Sequence, residues 1–122
     1  MIVFDTGALI ALERRKQRAL ALWTLAQIDK RDIVVPGVVI AEWWRARTDV
    51  REKIVAGITI EPVDARLGRL AGEAMAATPG STVVDAIVMA LAASLGAVVF
   101  TSDVDDLEEL RAFFPGVRVL SI

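Results

Sequence analysis

Short apolar runs recur along this chain, and each is separated from the next by one or two helical stretches. The runs are Ile2-Val3-Phe4, Ile33-Val34-Val35, Ile58-Thr59-Ile60, Ala97 to Phe100 and Val117 to Leu120. They are too short for helices and mostly apolar rather than alternating, the pattern of strands buried on both faces. Helical patterns fill the gaps: Ala8 to Glu13, Leu20 to Ile28, Val38 to Arg47, Val50 to Ala56, Asp64 to Ala77, a stretch capped by Ser81 or Thr82 and running to Leu95, and Val104 to Phe114. Pro36-Gly37, Thr78-Pro79-Gly80, Gly96 and Pro115-Gly116 punctuate them. Strands that alternate with helices predict an α/β fold, a five-stranded parallel sheet with helices on both faces and right-handed connections. No repeat, low-complexity segment or linker interrupts the pattern, so residues 1–122 read as one domain.

The chain has no cysteine and no histidine. Thiolate metal sites, disulfides, histidine general bases and serine–histidine triads are therefore excluded. Hydrolytic chemistry here has to run on carboxylates, hydroxyls, lysine or a hard metal ion. The opening Met1-Ile2-Val3-Phe4-Asp5 lacks the basic segment of a secretory leader, and the longest apolar stretch, Ala86 to Ala93, is too short to span a bilayer. The expectation is a soluble, cytoplasmic protein with no membrane partner.

Formal net charge is -2, so the chain as a whole is not a basic nucleic-acid binder. The positive residues are clustered: Arg14, Arg15, Lys16 and Arg18 form one group, Arg45, Arg47, Arg51 and Lys53 another, and no lysine follows Lys53. Such groups hold phosphates in some proteins and are plain solvated helix faces in others. Apolar residues make up 55% of the chain and mean hydropathy is +0.53. In a domain this small, that surplus points to a partner or a second copy covering some of it.

In a parallel sheet every strand ends at the same edge, and helices returning to the next strand begin there. Asp5 directly follows the first strand and Asp103 closely follows the fourth. Glu42 lies early in the helix after the second strand, and Asp85 lies in the first turn of the helix before the fourth. The topology thus brings four acids from four separate segments to one rim. Each has an ordinary structural use: Asp5 or Asp103 as a helix cap, Asp85 at a helix dipole, Glu42 as a solvated helix residue. Asp85, between Val83-Val84 and Ala86-Ile87-Val88, and Glu42, between Val38-Val39-Ile40-Ala41 and Trp43-Trp44, are placed among apolar neighbours that disfavour an unpaired charge. Four adjacent anions with no lysine nearby repel one another unless some take up protons or a cation joins them. A hard divalent ion, Mg²⁺ or Mn²⁺, suits an all-oxygen set.

These segments resemble the PIN-domain ribonucleases, specifically the toxins of VapBC-type toxin–antitoxin pairs. Ile2-Val3-Phe4-Asp5-Thr6-Gly7-Ala8-Leu9 resembles the family's first acidic motif, and Pro36-Gly37-Val38-Val39-Ile40-Ala41-Glu42 the second. Val84-Asp85-Ala86-Ile87-Val88-Met89-Ala90 resembles the third, and Phe100-Thr101-Ser102-Asp103 the fourth. The resemblance covers essentially the whole chain and implies a single PIN-like domain that cleaves RNA endonucleolytically with Mg²⁺, Mn²⁺ substituting. It implies Asp5 and Asp85 as the core metal ligands and Asp103 as completing the site or binding a second ion. Glu42 would bind metal, directly or through water, or orient the attacking water. Thr6, Thr101 and Ser102 would be supporting hydroxyls. The family often carries a further acid just after the fourth; Asp105 and Asp106 are both candidates, and Asp106 is preferred. Arg14, Arg15, Arg45 and Arg47 are the candidates for RNA contact. A homodimer and a cognate antitoxin that blocks the site are also implied. Trp23, Trp43 and Trp44 are candidate anchors for such contacts, with core packing as the other reading. The stretch Arg45 to Ile58 is short for the family.

Other readings fit less well. A phosphate-receiving signalling domain needs an acidic pair after the first strand and a lysine after a late strand, and this chain has neither. An aspartyl-nucleophile phosphatase wants Asp-x-Asp where Asp5-Thr6-Gly7 stands. A PIN nuclease that processes RNA without an antitoxin, and a catalytically silent module that keeps only the fold, are the alternatives to a toxin.

Overall fold

The structure is a computed structural model that describes residues 1–122. Five strands form the sheet: β1 (Ile2–Phe4), β2 (Ile33–Pro36), β3 (Thr59–Glu61), β4 (Val98–Thr101) and β5 (Val119–Ser121). The helices are α1 (Thr6–Glu13), α2 (Gln17–Ile28), α3 (Gly37–Trp43), α4 (Asp49–Ala56), α5 (Ala65–Ala77), α6 (Val83–Leu95) and α7 (Val104–Glu108), and α7 runs on into a 3₁₀ turn over Glu109–Ala112. The strand order is β3-β2-β1-β4-β5 and every pairing is parallel, with Ile2 opposite Ile33 and Val98, Val34 opposite Thr59, and Val99 opposite Val119. The α/β class and the five-stranded parallel sheet expected from the apolar runs are thus what the chain forms.

Right-handed crossovers put helices on opposite faces when the chain reverses its direction of travel across the sheet. The contacts agree. On one side α1 packs on β1 and β4 and against α2, α3 and α4; on the other α6 packs on β1, β2 and β4 and against α5 and α7. The segment Ala86–Ala92 of α6 is buried at every position, and with β1 and β2 it forms the centre of the core. That burial explains why α6 is apolar all round rather than on one stripe.

Side chains cap the helices where the sequence suggested. Asp64 accepts from the Leu67 amide at 2.9 Å and Thr82 from the Asp85 amide at 3.1 Å. Gly96 ends α6 with φ +64°, a conformation that costs glycine little. Other boundaries differ from expectation. β2 continues through Pro36, which pairs with Glu61; a proline at a strand end loses no essential ladder bond. α3 stops at Trp43 instead of reaching Arg47. Trp44 turns extended (ψ +97°), and Thr48 starts α4 by accepting from the Arg51 amide at 3.1 Å. The last helix gives way to 3₁₀ geometry after Glu108, not at Phe114. α1 begins at Thr6 because Asp5 caps it, and α2 begins at Gln17.

Trp43 is core: it is buried, and its indole N–H donates to Glu13 Oε1 at 2.9 Å. Trp44 is half-buried and meets Trp43 edge-on. Trp23 packs over Gly57, where a β-carbon would lie 2.5 Å from the indole ring. Trp43 is thus core, while Trp23 and Trp44 keep part of their surface accessible. The exposed large apolar side chains are dispersed along the chain, with Leu25 and Ile28 on α2 and Ile60 and Val63 around the end of β3 the two pairs three residues apart. No helix is long and apolar enough to cross a membrane.

Candidate active site

β1 lies at the middle of the sheet. From it the chain builds outward through β2 and β3, then returns to place β4 on the other side. The crevice beyond the carboxyl ends of β1 and β4 is therefore the switch point at which open α/β sheets bind ligands. A cleft of about 300 Å³ occupies that place. Its walls are Asp5, Thr6, Gly7, Glu42, Thr82, Val84, Asp85, Thr101, Ser102, Asp103 and Asp106. Five of these are carboxylates, one is apolar, and none is basic.

Asp5 leaves the end of β1 and is only 8% exposed. Its Oδ1 accepts from the Ala8 amide at 2.8 Å, which starts α1, and its Oδ2 accepts from the Thr101 hydroxyl at 2.5 Å. Thr101 is the last residue of β4, also buried, and its Oγ1 accepts from the Asp103 amide at 3.0 Å. One hydroxyl therefore ties the acid after β1 to the turn that carries the acid after β4. Glu42 reaches in from α3 and accepts from the Thr6 hydroxyl. Asp85 sits in the first turn of α6, held by the Thr82 cap and by the buried helix behind it. Gly7 leaves room for Ser102: a β-carbon at Gly7 would lie 2.1 Å from Ser102 Oγ.

The charges act on one another. Burial pushes the Asp5 carboxyl above the ordinary carboxylate range, the Thr101 and Ala8 hydrogen bonds oppose that, and the charge on Glu42 adds to it. Burial also raises Asp85; a hydrogen bond from Thr82 opposes the shift, and the charges on Asp106, Asp5 and Glu42 reinforce it. Asp106, fully exposed, is raised mainly by the charge of Asp103. All five acids thus lie in one field that no side chain of the cleft neutralises. The walls offer only oxygen donors, the chemistry of a hard cation site, although no three carboxylates already close around a common point.

Burial of these acids, with the repulsion added, bears on stability. Asp5 and Asp85 keep their protons above the ordinary range near pH 4, so over that interval the folded chain binds more protons than the unfolded one. Stability from these groups therefore falls as pH rises from about 4 until both are ionised. Asp85 is partly solvated, which keeps the effect small. In chelator at neutral pH, Asp85→Asn is expected to melt about 2–5 °C above the native chain, and the gap should close toward about pH 4. Thermal melts across pH check this, and a variant that melts lower at neutral pH contradicts it.

The four acids named from sequence all line this cleft, as do Thr6, Thr101, Ser102 and Asp106. Asp105 does not; it faces a neighbouring hollow. Of the candidate arginines, Arg14 and Arg45 line an adjoining groove. Arg15 lies outside the cleft and the groove, in the turn that closes α1 (φ +57°), and Arg47 is 80% exposed, paired with Glu52 at 3.3 Å. Of the four expected RNA contacts, these two therefore line neither the cleft nor the groove. Thr82, Val84 and Gly7 were not foreseen as walls. Thr82 was signalled only by its capping position, three residues before Asp85.

Comparison with known proteins agrees with this fold. The family model described as PIN domain matches residues 2–112. VapBC2 from Rickettsia felis, solved bound to a DNA fragment from its promoter, superposes with a TM-score of 0.80 at 13% identity, over 100% of this chain and 99% of that one. VapBC from Salmonella typhimurium, solved bound to DNA, gives a TM-score of 0.76 at 17% identity, over 98% and 96%. VapC20 of Mycobacterium tuberculosis, described as a sarcin–ricin loop cleaving toxin, gives 0.68 at 22% identity, over 87% and 92%. No curated protein matches the chain in sequence. The family match spans nearly the whole chain and includes every acid of the cleft, so this chain belongs to the PIN domain family.

Proposed function

We propose that this chain is a Mg²⁺- or Mn²⁺-dependent endoribonuclease and the toxin of a VapBC-type pair. One observation carries the reading: the cleft at the switch point of this PIN fold is walled by five carboxylates with no basic side chain among them. Asp5, Asp85, Asp103 and Glu42 are the residues that would hold the ion. A divalent cation bound there would polarise the phosphodiester and lower the pKa of a water.

The rest is done by the chain's own residues. Thr101 fixes the orientation of Asp5 and the course of the turn to Asp103. Thr6 fixes Glu42, which lies at the exposed lip of the cleft, where it can accept the proton of an attacking water. The absence of histidine and cysteine leaves carboxylates as the proton acceptors. Asp106 adds negative charge beside Asp103 and so strengthens the demand for a cation. Ser102 and Thr82 supply further hydroxyls to the walls.

The neighbours support the toxin reading in their own descriptions: two are VapBC assemblies, and VapC20 is a toxin that cleaves the sarcin–ricin loop. By that analogy the cognate partner is an antitoxin protein; the homodimer is proposed from the family resemblance and the apolar surplus of the chain. Incubation of the purified chain with a panel of RNAs, with and without Mg²⁺, tests the proposal. Metal-dependent internal cleavage is expected; intact RNA in every lane contradicts it.

A further inference from the structure

The acidic cleft opens on two sides, and the two are opposite in charge. Past Asp85 and Asp106 lies a hollow walled by Gly80, Ser81, Asp105 and Glu109, which repels a polyanion. Past Thr6 and Glu42 lies a groove of about 430 Å³ whose further walls are Ile10, Glu13, Arg14, Trp43, Arg45 and Arg51.

The three arginines of that groove are not equivalent. Arg51 is committed. Its Nε donates to Glu13 Oε1 at 3.2 Å, its Nη2 lies 3.1 Å from Glu13 Oε2, and its Nη1 donates to the Ala46 carbonyl at 2.7 Å. Its side chain is 17% exposed. Glu13 is spent on Arg51 and on the Trp43 indole. This cluster fastens the α3–α4 loop to the end of α1. Arg14, at the end of α1, and Arg45, on that loop, have no ion-pair or hydrogen-bond partner for their side chains. Both are exposed.

We infer that this groove carries the RNA strand away from the cleft, with Arg14 and Arg45 holding phosphates that flank the one being cleaved. The inference rests on the nuclease reading of the cleft and adds a direction to it. A strand entering five carboxylates is repelled over roughly a Debye length, about 8 Å at physiological salt. Two free guanidiniums on one side offset that repulsion and offer bidentate contacts to phosphate. The groove shares Thr6 and Glu42 with the cleft, so a strand continuous through one passes into the other. Arg51 and Glu13 act as positioning residues that hold the loop bearing Arg45.

The test uses the full chain with Asp85→Asn to silence cleavage and a fluorescein-labelled single-stranded RNA of about 12 nucleotides. Anisotropy is followed from about 50 to 200 mM salt with Mg²⁺ held constant. Arg14→Ala with Arg45→Ala is expected to weaken binding about tenfold or more and to reduce the salt slope by about 1.4, two phosphate contacts' worth for a single strand. Arg66→Ala with Arg69→Ala removes the same charge from exposed positions on α5 and is expected to change neither. Arg14→Lys with Arg45→Lys should keep the slope while losing part of the affinity. The inference is overturned if the parent does not bind RNA, if the groove variant keeps affinity and slope, or if the α5 variant loses as much. It is also overturned if the groove variant binds RNA normally but no longer binds an oligoglutamate peptide, because the groove then docks a protein. If the chain with Asp85 intact fails to cleave RNA while the groove variant still loses binding, the nuclease reading falls and the groove assignment stands.

Discussion

Asp85→Asn is expected to lower RNA cleavage by about 10³-fold or more while leaving the fold intact. The reason lies in how Asp85 is held. The Thr82 hydroxyl caps α6 through the backbone amide of residue 85, and the seat of the helix is the buried stretch Ala86–Ala92. Neither depends on the charge of the carboxylate. Asparagine keeps the volume and one acceptor oxygen, removes the anion and replaces the other oxygen by a donating amide nitrogen. Asp5 is a less clean target, because its two oxygens also start α1 and tie down Thr101. Initial cleavage rates, with circular dichroism as the fold control, read the outcome. A variant within about threefold of the native rate removes Asp85 from the chemistry.

Excess chelator is expected to abolish cleavage, and Mg²⁺ or Mn²⁺ added back is expected to restore it. The competing account is cleavage by the carboxylates alone, with Asp5 or Asp85, both raised above the ordinary range, as general acid or base. That account leaves the remaining negative charge of the cleft facing a phosphodiester anion with no cation in its walls. Nor do Thr6 and Thr101 replace the water readily as nucleophiles. The hydroxyls of Thr6 and Thr101 already donate to Glu42 and Asp5. A metal-dependent reaction should therefore lose essentially all rate in chelator, whereas carboxylate-only cleavage would run on unchanged.

Much of this was legible in the sequence because the parallel α/β pattern constrains geometry strongly. Once Ile2-Val3-Phe4 and Ala97 to Phe100 are parallel strands, Asp5 and Asp103 must share an edge, and Asp85 at the start of a returning helix must join them. The apolar neighbours of Asp85 marked it as more than a solvated acid. What sequence did not disclose depends on a few local turns. Nothing in Trp43-Trp44-Arg45 announces that the helix ends there. Trp43, the last residue of the helix, fills the core beside Glu13, Trp44 turns extended, and Thr48 opens a new helix four residues beyond Trp44. That early end decides which arginine faces the groove: Arg45 does, while Arg47 turns to Glu52. Asp105 and Asp106 are adjacent aspartates, and only the pitch of α7 separates the one that reaches the cleft from the one that does not. Gly7 is silent in sequence terms, since its contribution is the absence of a β-carbon next to Ser102.

The central claim is that these carboxylates together take up a divalent cation, and Mn²⁺ titration of the metal-stripped chain, followed by electron paramagnetic resonance of the free ion, tests it most directly. The native chain is expected to remove Mn²⁺ from solution at sub-millimolar to millimolar concentration, more tightly as pH rises and the acids ionise, and the Asp5→Asn/Asp85→Asn chain is expected to remove almost none. Equal uptake by the two chains, or none by the native chain, would contradict the account.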